Sequence, residues 1–253
     1  HLIGNRKEYA SAELHEAYNQ IFGEGNSFES IFEIQFRENQ QYNSIIPGYF
    51  GSVNANIGAI SAASFICDGA TSGNELFPRY DLRATENFNA KSTSFYPIRK
   101  YVVSRIDNQD NITYRSLNLS NWIFYRLTDV MLMEAEALTE RSGGDETDMR
   151  KAFSLVSAVY NRANIGQASR DTLAFESFNS LAKMESLVLQ ERQRELMFEG
   201  KRWFDLVRKA RREGNNSAML DLAKRKYTYP DAVKSKWIKP DMLYFPINED
   251  ELK

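Results

Sequence analysis

The densest group of charged residues lies between positions 191 and 208. It contains Glu191, Arg192, Arg194, Glu195, Glu199, Arg202, Asp205 and Arg208. Glu191, Glu195 and Glu199 recur every four residues, so on a helix they share one face. Two such carboxylates could act as general acid and base in a glycoside hydrolase, or bind a metal. Because arginines at this density would hold the carboxylates ionised, we favour a structural ion-pair network inside the fold.

A second group of residues with chemical potential is aromatic. The sequence has 16 Phe, 13 Tyr and 3 Trp, and many of them lie in a stretch between residues 37 and 118 that is punctuated by Gly, Pro, Asn and Ser. Aromatic faces can stack on the C–H faces of sugars or pack against peptide side chains. We predict ligand-binding residues among Tyr42, Tyr49, Phe50, Phe77, Tyr80 and Tyr96. The alternative is that these rings fill a core beneath the loops, because large aromatic residues are buried on average.

Composition and motifs exclude several classes of function. A single cysteine, Cys67, rules out an intrachain disulfide framework, and two histidines leave little material for histidine-based catalysis. The net charge of −2 gives no electrostatic reason to expect nucleic acid or an anionic membrane as a partner. No apolar run long enough to span a membrane is present in the sequence. Residues 107–111 resemble a calcium loop without its glycine, so we favour a polar turn there and expect neither a metal nor a cofactor.

The N-terminal part of the sequence predicts few regular elements. Apolar residues at spacings of three and four predict a helix over residues 6–22, ended by Gly23 and Gly25. Residues 30–36 alternate between apolar and polar, which predicts a short half-buried strand. Residues 37–121 show no persistent helical pattern, and irregular stretches of such length are usually functional.

The helical part of the sequence is predicted to begin at Trp122. Apolar residues then cover most of the circumference of a first helix, and they include Leu127, Val130 and Met133. A helix that is apolar nearly all round is typical of a protein interior. We therefore expect this helix to be buried.

A helical hairpin follows from the next turn. A Ser-Gly-Gly-Asp turn leads to a second helix over residues 148–164, with Thr147 as the expected N-cap. Two helices joined in this way form an αα-hairpin, the unit of a tetratricopeptide-type array. A third helical region is predicted over residues 180–212, bent or divided at Gly200.

Several motifs, in order along the chain, resemble segments of the SusD/RagB family. Residues 126–138, RLTDVMLMEAEAL, resemble the family helix RLADVLLMYAEAL. Residues 189–208, LQERQRELMFEGKRWFDLVR, match the family pattern ERRxELAFEGHRWFDLVR almost position by position, with Lys201 where histidine is common. Residues 30–36, 159–163 and 244–248 are similar to further family segments.

The resemblance implies a mainly α, SusD-like fold. It would contain tetratricopeptide-type helical hairpins, a long irregular loop-rich region and short strands. Residues 1–253 would form the C-terminal part of a single SusD-like domain, with a helix and short strand in 1–36, irregular ligand-facing loops in 37–121, and the helical core and closing segment in 122–253. An N-terminal half that carries a lipidated cysteine is expected to precede His1.

The resemblance also implies a function. SusD-like proteins are surface-exposed outer-membrane lipoproteins of Bacteroidota that bind oligosaccharides without catalysis and deliver them to a SusC-like TonB-dependent transporter. Membrane attachment would come from the N-terminal lipid alone. The alternatives are peptide binding for uptake, as in the RagB branch, a carboxylate-dependent glycoside hydrolase, and a helical scaffold without a ligand. The family has no fixed ligand motif, so the six aromatic candidates come from the residue pattern alone.

Overall fold

The structure is a computed structural model of the 253-residue chain. It describes residues 11–37, 43, 45–50, 59–71, 73–79, 81–90, 95–106, 112–114, 119–164, 172–226, 231–232, 244 and 249–252. The chain divides into two compact units, His1–Glu199 and Gly200–Lys253. None of the helices in the described part of the chain combines the length and apolar character needed to cross a membrane.

Helices dominate the described residues, and the strands are short. The helices are α1 Ser11–Tyr18, α2 Ile45–Phe50, α3 Ser64–Cys67, α4 Arg83–Asn87, α5 Leu127–Ser142, α6 Glu146–Ala163, α7 Leu181–Glu195, α8 Arg202–Glu213 and α9 Ser217–Lys226. The strands are β1 Ser30–Ile34, β2 Ser61–Ala62, β3 Tyr96–Pro97, β4 Val103–Ile106, β5 Ile112–Tyr114 and β6 Trp122–Arg126. A π-helical turn, Asn19–Glu24, continues α1, and 3₁₀ turns span Phe175–Phe178 and Glu249–Leu252.

The main hydrophobic core lies between α5, α6 and α7. It includes Leu132, Ala135, Val156, Val159 and Met184, all of them fully buried. Alanine on the inner face of α5 lets the neighbouring helix approach closely, and the branched side chains of α6 fill the space that remains. The predicted αα-hairpin is therefore present, and α7 completes a three-helix core.

The N-cap of the second hairpin helix lies two residues before the predicted position. Gly143 adopts the left-handed conformation that ends α5, with φ of 55°. The N-cap of α6 is Asp145, whose carboxylate accepts hydrogen bonds from the amides of Thr147 and Asp148. The prediction of Thr147 as N-cap is wrong, because aspartate two residues upstream already satisfies these free amides.

The segment that begins at Trp122 is a strand and not the start of a helix. β6 pairs antiparallel with β1, and the register places Ser30 opposite Arg126 and Ile34 opposite Trp122. Its sequence, WIFYR, is rich in aromatic residues that favour strands. Pairing with a distant strand decides the conformation here. The other two sheets are also two-stranded, β2 with β3 and β4 with β5.

The expectation that α5 is buried on all sides is wrong. Leu132 and Ala135 on its inner face are fully buried, whereas Leu127, Val130 and Met133 are 38–39% exposed. The described residues of the chain leave one apolar side of α5 open to solvent.

The second unit has a small core of its own. α8 and α9 pack around Ala210 and Met219, against which Trp203, Leu206 and Val207 are partly buried. Gly214 ends α8 in the left-handed conformation, with φ of 67°. The predicted third helical region is thus two helices, α7 and α8, with Gly200 between them.

Substitutions at neighbouring positions on the two faces of α5 are expected to change the free energy of unfolding by very different amounts. Leu132→Ala is expected to lower the free energy of unfolding by about 2–5 kcal/mol, because it leaves a cavity in the three-helix core. Met133→Ala, on the exposed side, is expected to change it by no more than about 0.5 kcal/mol. Urea unfolding of the two variants measures both effects, and equal losses would contradict the assigned burial.

Candidate functional site

The charged residues of α7 lie at the centre of a buried network. Ten ionisable side chains are linked to one another by hydrogen bonds between their charged ends, and together they are termed the ion-pair cluster. Its members are Glu29, Asp81, Arg83, Lys100, Arg126, Arg162, Glu191, Arg194, Glu195 and Glu199. Each is at most 6% exposed, so the cluster is sealed from water.

Glu195, at the end of α7, joins most of the cluster. One of its carboxylate oxygens, Oε1, accepts hydrogen bonds from Arg162 on α6 and from Arg126 on β6, the latter at 3.0 Å. The other oxygen accepts a hydrogen bond from Arg83 on α4 at 3.1 Å. A single carboxylate therefore ties four elements together.

Glu29, in the turn before β1, forms a second junction. Its carboxylate accepts hydrogen bonds from Arg162, from Arg126 at 2.9 Å and from the Thr128 hydroxyl at 2.6 Å. Its backbone carbonyl accepts a hydrogen bond from the Leu127 amide at 2.7 Å. These bonds fix the start of β1 where β6 passes into α5.

Arg83 extends the cluster into the irregular part of the chain. Its guanidinium donates to Asp81 at 2.6 Å and to Glu191 at 2.6 Å. Glu191 also accepts a hydrogen bond from Arg194, one turn further along α7, at 2.8 Å. A segment with little regular structure is thereby anchored to the helical core.

Lys100 and Glu199 close the network. The Lys100 ammonium donates to Glu199 and to the backbone carbonyls of Glu195 and Met197, the two carbonyls at 3.0 Å. Glu199 also accepts two hydrogen bonds of 2.9 Å from Arg126. The Glu195 carbonyl also accepts a hydrogen bond from Arg126 at 3.1 Å, so side chains of the cluster hold the end of α7.

The charges of the cluster balance. It contains five basic and five acidic side chains, so its formal charge is zero when all are ionised. Burial alone would raise the pKa of Glu195, but Arg162 and Arg126 outweigh burial and hold that pKa well below its usual value. The same balance lowers the pKa of Glu29 and of Glu199. Burial lowers the pKa of Lys100 to about 8, against the attraction of Glu199.

This arrangement is unsuited to glycoside hydrolysis. A general acid needs a raised pKa and an open cleft, whereas Glu195 and Glu199 have lowered pKa values and no access to solvent. Glu191 is fully buried against two arginines. In the second unit, Asp205 is 1% exposed and pairs with Arg208 at 2.7 Å. The predicted structural ion-pair network is what the structure contains at Glu191, Glu195 and Glu199.

The structure separates the six predicted aromatic residues. Phe77 and Tyr96 belong to a hydrophobic core and are 0% and 4% exposed, so they offer no open ring face. Tyr42 and Tyr80 lie outside the described residues, as does the loop 107–111. Only the remaining two residues, on α2, can be assessed as surface candidates.

Those two candidates differ from each other. Phe50 is half-buried, and its ring lies 6.3 Å from that of Tyr101 and 6.1 Å from that of Phe198. Tyr49 is 49% exposed, and Ile45, one helical turn before it, is 66% exposed. The Ile60 amide donates to the Tyr49 carbonyl at 3.0 Å, and the Ile60 side chain is also exposed. Tyr49 therefore lies in a small exposed apolar patch.

An exposed surface that sequence reasoning missed lies on β1 and β6. Phe28 is 98% exposed, and Phe32, Phe124 and Tyr125 are 39–55% exposed. The sequence predicts a half-buried strand at residues 30–36 and a helix from Trp122, and neither pattern indicates this surface. A prediction of β6 as a strand would have indicated this surface, because pairing of β6 with β1 brings the aromatic residues of both strands together.

A surface pocket beside α6 and the possible metal ligands among the described residues offer no further site. A surface pocket of about 270 Å³ is lined by Glu146, Arg150, Phe175, Glu176 and Asn179, among others. The Arg150 guanidinium lies 4.1 Å from the centre of the Phe175 ring and covers the face that a sugar would need. Within the described ranges, no group of three or more His, Cys, Asp or Glu side chains is placed to hold a metal ion.

Comparison with known proteins identifies the family. The family model described as "SusD family" matches residues 63–253, which is most of the chain and includes nine of the ten cluster residues. This chain belongs to the SusD family. Its mainly helical fold with few short strands is the SusD-like fold that the sequence motifs predicted.

Two solved SusD superfamily proteins illustrate the likeness. One from Bacteroides vulgatus has a TM-score of 0.56 and 19% identity, over 99% of this chain and 54% of its own. One from Bacteroides fragilis has a TM-score of 0.52 and 22% identity, over 75% of this chain and 42% of its own. The SusD-like protein P2 of Formosa agariphila is 35% identical over 89 residues, which are 35% of this chain and 17% of that protein. The chain thus spans about half the length of the solved relatives and a smaller share of the curated one.

Replacing one carboxylate of the ion-pair cluster by an amide is expected to lower the free energy of unfolding strongly. Glu195→Gln keeps the shape of the side chain but leaves Arg162, Arg126 and Arg83 short of one negative charge. We expect the free energy of unfolding to fall by about 3–5 kcal/mol. Glu134→Gln, on the exposed face of α5, is the matched control and should change it by no more than about 0.5 kcal/mol. Equal stability of the two variants in urea would refute the central role of Glu195.

The lowered carboxyl pKa values predict acid sensitivity. Below about pH 4.5, the usual pKa of glutamate, the unfolded chain takes up protons that folded Glu29, Glu195 and Glu199 do not. The free energy of unfolding should therefore be fully developed above this pH and decline below it, by up to about 1.4 kcal/mol per pH unit for each carboxyl. Urea titrations from neutral pH into this acidic range measure the slope. A stability that stays constant there would contradict the pKa directions.

Proposed function

We propose that this SusD-family chain is part of a cell-surface protein that binds oligosaccharides without catalysis. Family membership over residues 63–253 is the observation that carries the proposal. SusD-family proteins are binding proteins and not enzymes. The buried state of Glu191, Glu195 and Glu199 supports a non-catalytic role, because the most concentrated carboxylates of the chain are committed to arginines.

The proposal includes the fate of the ligand. The bound oligosaccharide would be delivered to a SusC-like TonB-dependent transporter, and attachment to the outer membrane would use a lipid outside residues 1–253. Both steps rest on the resemblance of the motifs in residues 126–138 and 189–208 to the family. Exposed aromatic side chains fit capture of a polar, uncharged ligand better than electrostatic capture, given the net charge of −2.

Tyr49 is the best-supported binding residue. Its side chain is half exposed on α2, in an irregular part of the chain where binding residues concentrate. The ring can stack on a sugar face while its hydroxyl donates or accepts a hydrogen bond. One ring gives weak binding, and Tyr42 and Tyr80 remain predicted partners on the same stretch of sequence.

Substitution of Tyr49 tests the proposal. Tyr49→Ala is expected to weaken oligosaccharide binding about ten-fold, or about 1.4 kcal/mol, because it removes the stacking face. Tyr244→Ala is the matched control, since Tyr49 and Tyr244 are 49% and 55% exposed. Calorimetric titration of the natural protein with plant, host and microbial oligosaccharides and with mixed peptides supplies the measurement.

The outcomes separate the possible ligands. Binding of an oligosaccharide that depends on Tyr49 and not on Tyr244 supports the proposal. Binding of peptides alone would replace oligosaccharide by peptide as the ligand class. Equal losses in the two variants, or an unchanged dissociation constant for Tyr49→Ala, would remove Tyr49 from the binding surface.

A further inference from the structure

Two bulky residues of the first unit adopt a left-handed backbone conformation. Tyr101 has a φ of 73° and Phe198 has a φ of 66°. Large side chains are strained at positive φ, and such residues persist only where their surroundings hold them in place. Both rings lie against the ring of Phe50, at 6.3 Å and 6.1 Å. The two strained turns therefore meet at the last residue of α2, the helix that carries Tyr49.

Lys100 of the ion-pair cluster holds both turns. It directly precedes Tyr101 in the chain. Its ammonium donates to the carbonyl of Met197 at 3.0 Å and to the carboxylate of Glu199 at 2.5 Å, and these two residues flank Phe198. One buried cation therefore fixes the backbone on either side of Phe198 and next to Tyr101.

The Tyr101 ring is a rigid support for Phe50. It is 2% exposed, stacks on the Trp122 ring at 5.4 Å and meets the Phe22 ring edge-on at 5.1 Å. A close-packed interior leaves a ring with such neighbours little freedom to move. The Phe50 ring that packs against Tyr101 therefore has a fixed place, and so does the end of α2.

A chain of buried hydrogen bonds ties the start of α2 to the same turn. The Tyr101 carbonyl accepts a hydrogen bond from the Ser120 hydroxyl at 2.6 Å. The Ser120 carbonyl accepts one from the Asn43 side-chain amide at 3.0 Å. The Asn43 side-chain oxygen in turn accepts one from the Ile46 amide, in the first turn of α2, at 3.0 Å. Asn43 is 3% exposed and Ser120 is fully buried, so the chain of bonds is closed to solvent.

α2 is too short to hold its conformation alone. It has six residues, and isolated helices of that length are unstable in water. Ile46 faces the core and is 2% exposed, whereas Ile45 and Tyr49 are exposed. The direction in which the Tyr49 ring points therefore depends on the anchors at the two ends of the helix.

We propose that Asn43 and Phe50 are positioning residues that hold Tyr49 in place for the ligand, with the ion-pair cluster as their support through Lys100. The inference rests on the proposed binding role of Tyr49. A ring that is already oriented binds without the entropic cost of being ordered, so anchoring raises affinity without a new contact to the ligand. Phe50, which the sequence predicts as a binding residue, contributes through its packing.

Asn43→Asp loosens the first anchor with a small chemical change. The carboxylate still accepts the hydrogen bond from the Ile46 amide, but it has no N–H to donate to the Ser120 carbonyl. The cap of α2 is therefore kept while the tether to the Tyr101 turn is lost.

Asn74→Asp is the matched control for this variant. The Asn74 side chain also accepts a hydrogen bond from an amide three residues ahead, that of Phe77 at 2.7 Å. It also donates to the carbonyl of another segment, that of Ile66 at 2.7 Å. The same substitution there removes an equivalent tether in a different turn. Urea unfolding of both variants verifies that they are folded.

Phe50→Leu loosens the second anchor. Leucine keeps an apolar side chain in place but loses both ring contacts. Phe153→Leu is the matched control, since Phe153 on α6 is also half-buried and has two ring neighbours, Phe175 at 5.6 Å and Phe178 at 6.4 Å.

Hydrogen exchange measures the anchoring without a ligand. The Ile60 amide donates to the Tyr49 carbonyl, so its exchange reports opening of α2 from the neighbouring segment. In the natural protein, Asn43→Asp and Phe50→Leu are each expected to speed exchange of the Ile60 amide at least about five-fold, because α2 opens more easily. The two controls should leave that rate unchanged. Unchanged exchange in either α2 variant would overturn the role of that residue as an anchor.

A double-mutant cycle tests whether Asn43 acts through Tyr49. The probe is the tightest-binding oligosaccharide of the calorimetric panel. Asn43→Asp is expected to raise its dissociation constant about three- to ten-fold, whereas the same change in the Tyr49→Ala background should have no further effect. Asn74→Asp should leave the constant unchanged. A merely structural role would give the same fold-loss in both backgrounds, and that result would overturn the proposal.

Failure of the proposed function would give a different pattern. A panel without any binder, or an unchanged dissociation constant for Tyr49→Ala, would refute the binding role of Tyr49, and positioning for a ligand would fall with it. Binding that depends on Tyr49 but is unaffected by Asn43→Asp and Phe50→Leu would refute the positioning role alone.

Discussion

The fold of the first unit depends on five positive and five negative side chains that must be buried together. Taking any one of them from water would be costly, and the cost is offset only when every charge has its partner. The participating residues come from the turn before β1, from the irregular segment around α4, from β6 and from α6 and α7. Because each of these elements must be in place for the charges to balance, the cluster acts as a test of correct assembly. We regard its role as one of specifying the arrangement, since a hydrophobic replacement of equal shape can match the stability of a buried ion pair.

The same constraint explains the absence of chemistry at Glu191, Glu195 and Glu199. A carboxylate that donates or accepts a proton must change its charge during the reaction, whereas loss of one charge here would leave arginines uncompensated. The spacing of four residues that suggests catalysis in the sequence places Glu191 and Glu195 on one face of α7, where both meet Arg83. Glu199 lies beyond the end of the helix and meets Arg126 and Lys100 there. The proposed binding role therefore falls to exposed side chains such as Tyr49, which lie outside the ion-pair cluster.

Sequence reasoning recovered the parts of the structure that depend on local patterns. The helices of the α5–α6 hairpin and the break at Gly200 follow from periodicity, turn residues and the family motifs. It failed where contacts between distant segments determine the conformation. β6 looked helical because its pairing with β1 is not visible in its own sequence. Asp81 and Lys100 gave no signal as cluster members, since Lys100 bonds Glu199, 99 residues away, and Asp81 bonds Arg83 in its own turn.

The binding candidates were limited for a related reason. Tyr49, Phe77 and Tyr96 each lie within two residues of a proline in the same irregular stretch of sequence, yet one is half exposed and two are core. Exposure of a ring depends on which other segments pack over it, and a single sequence does not contain that information in any local window. The distribution of aromatic residues along the sequence predicts a binding region, but which of its rings are exposed depends on the fold.

The order of charges along the chain has a consequence for biosynthesis. Four basic members of the cluster, Arg83, Lys100, Arg126 and Arg162, precede residue 191, whereas only two acidic members, Glu29 and Asp81, do so. When α6 has just been synthesised, the cluster residues made so far therefore carry an excess of two positive charges. The charges of the cluster can therefore balance only after Glu191, Glu195 and Glu199, the last of which ends the first unit, have been made.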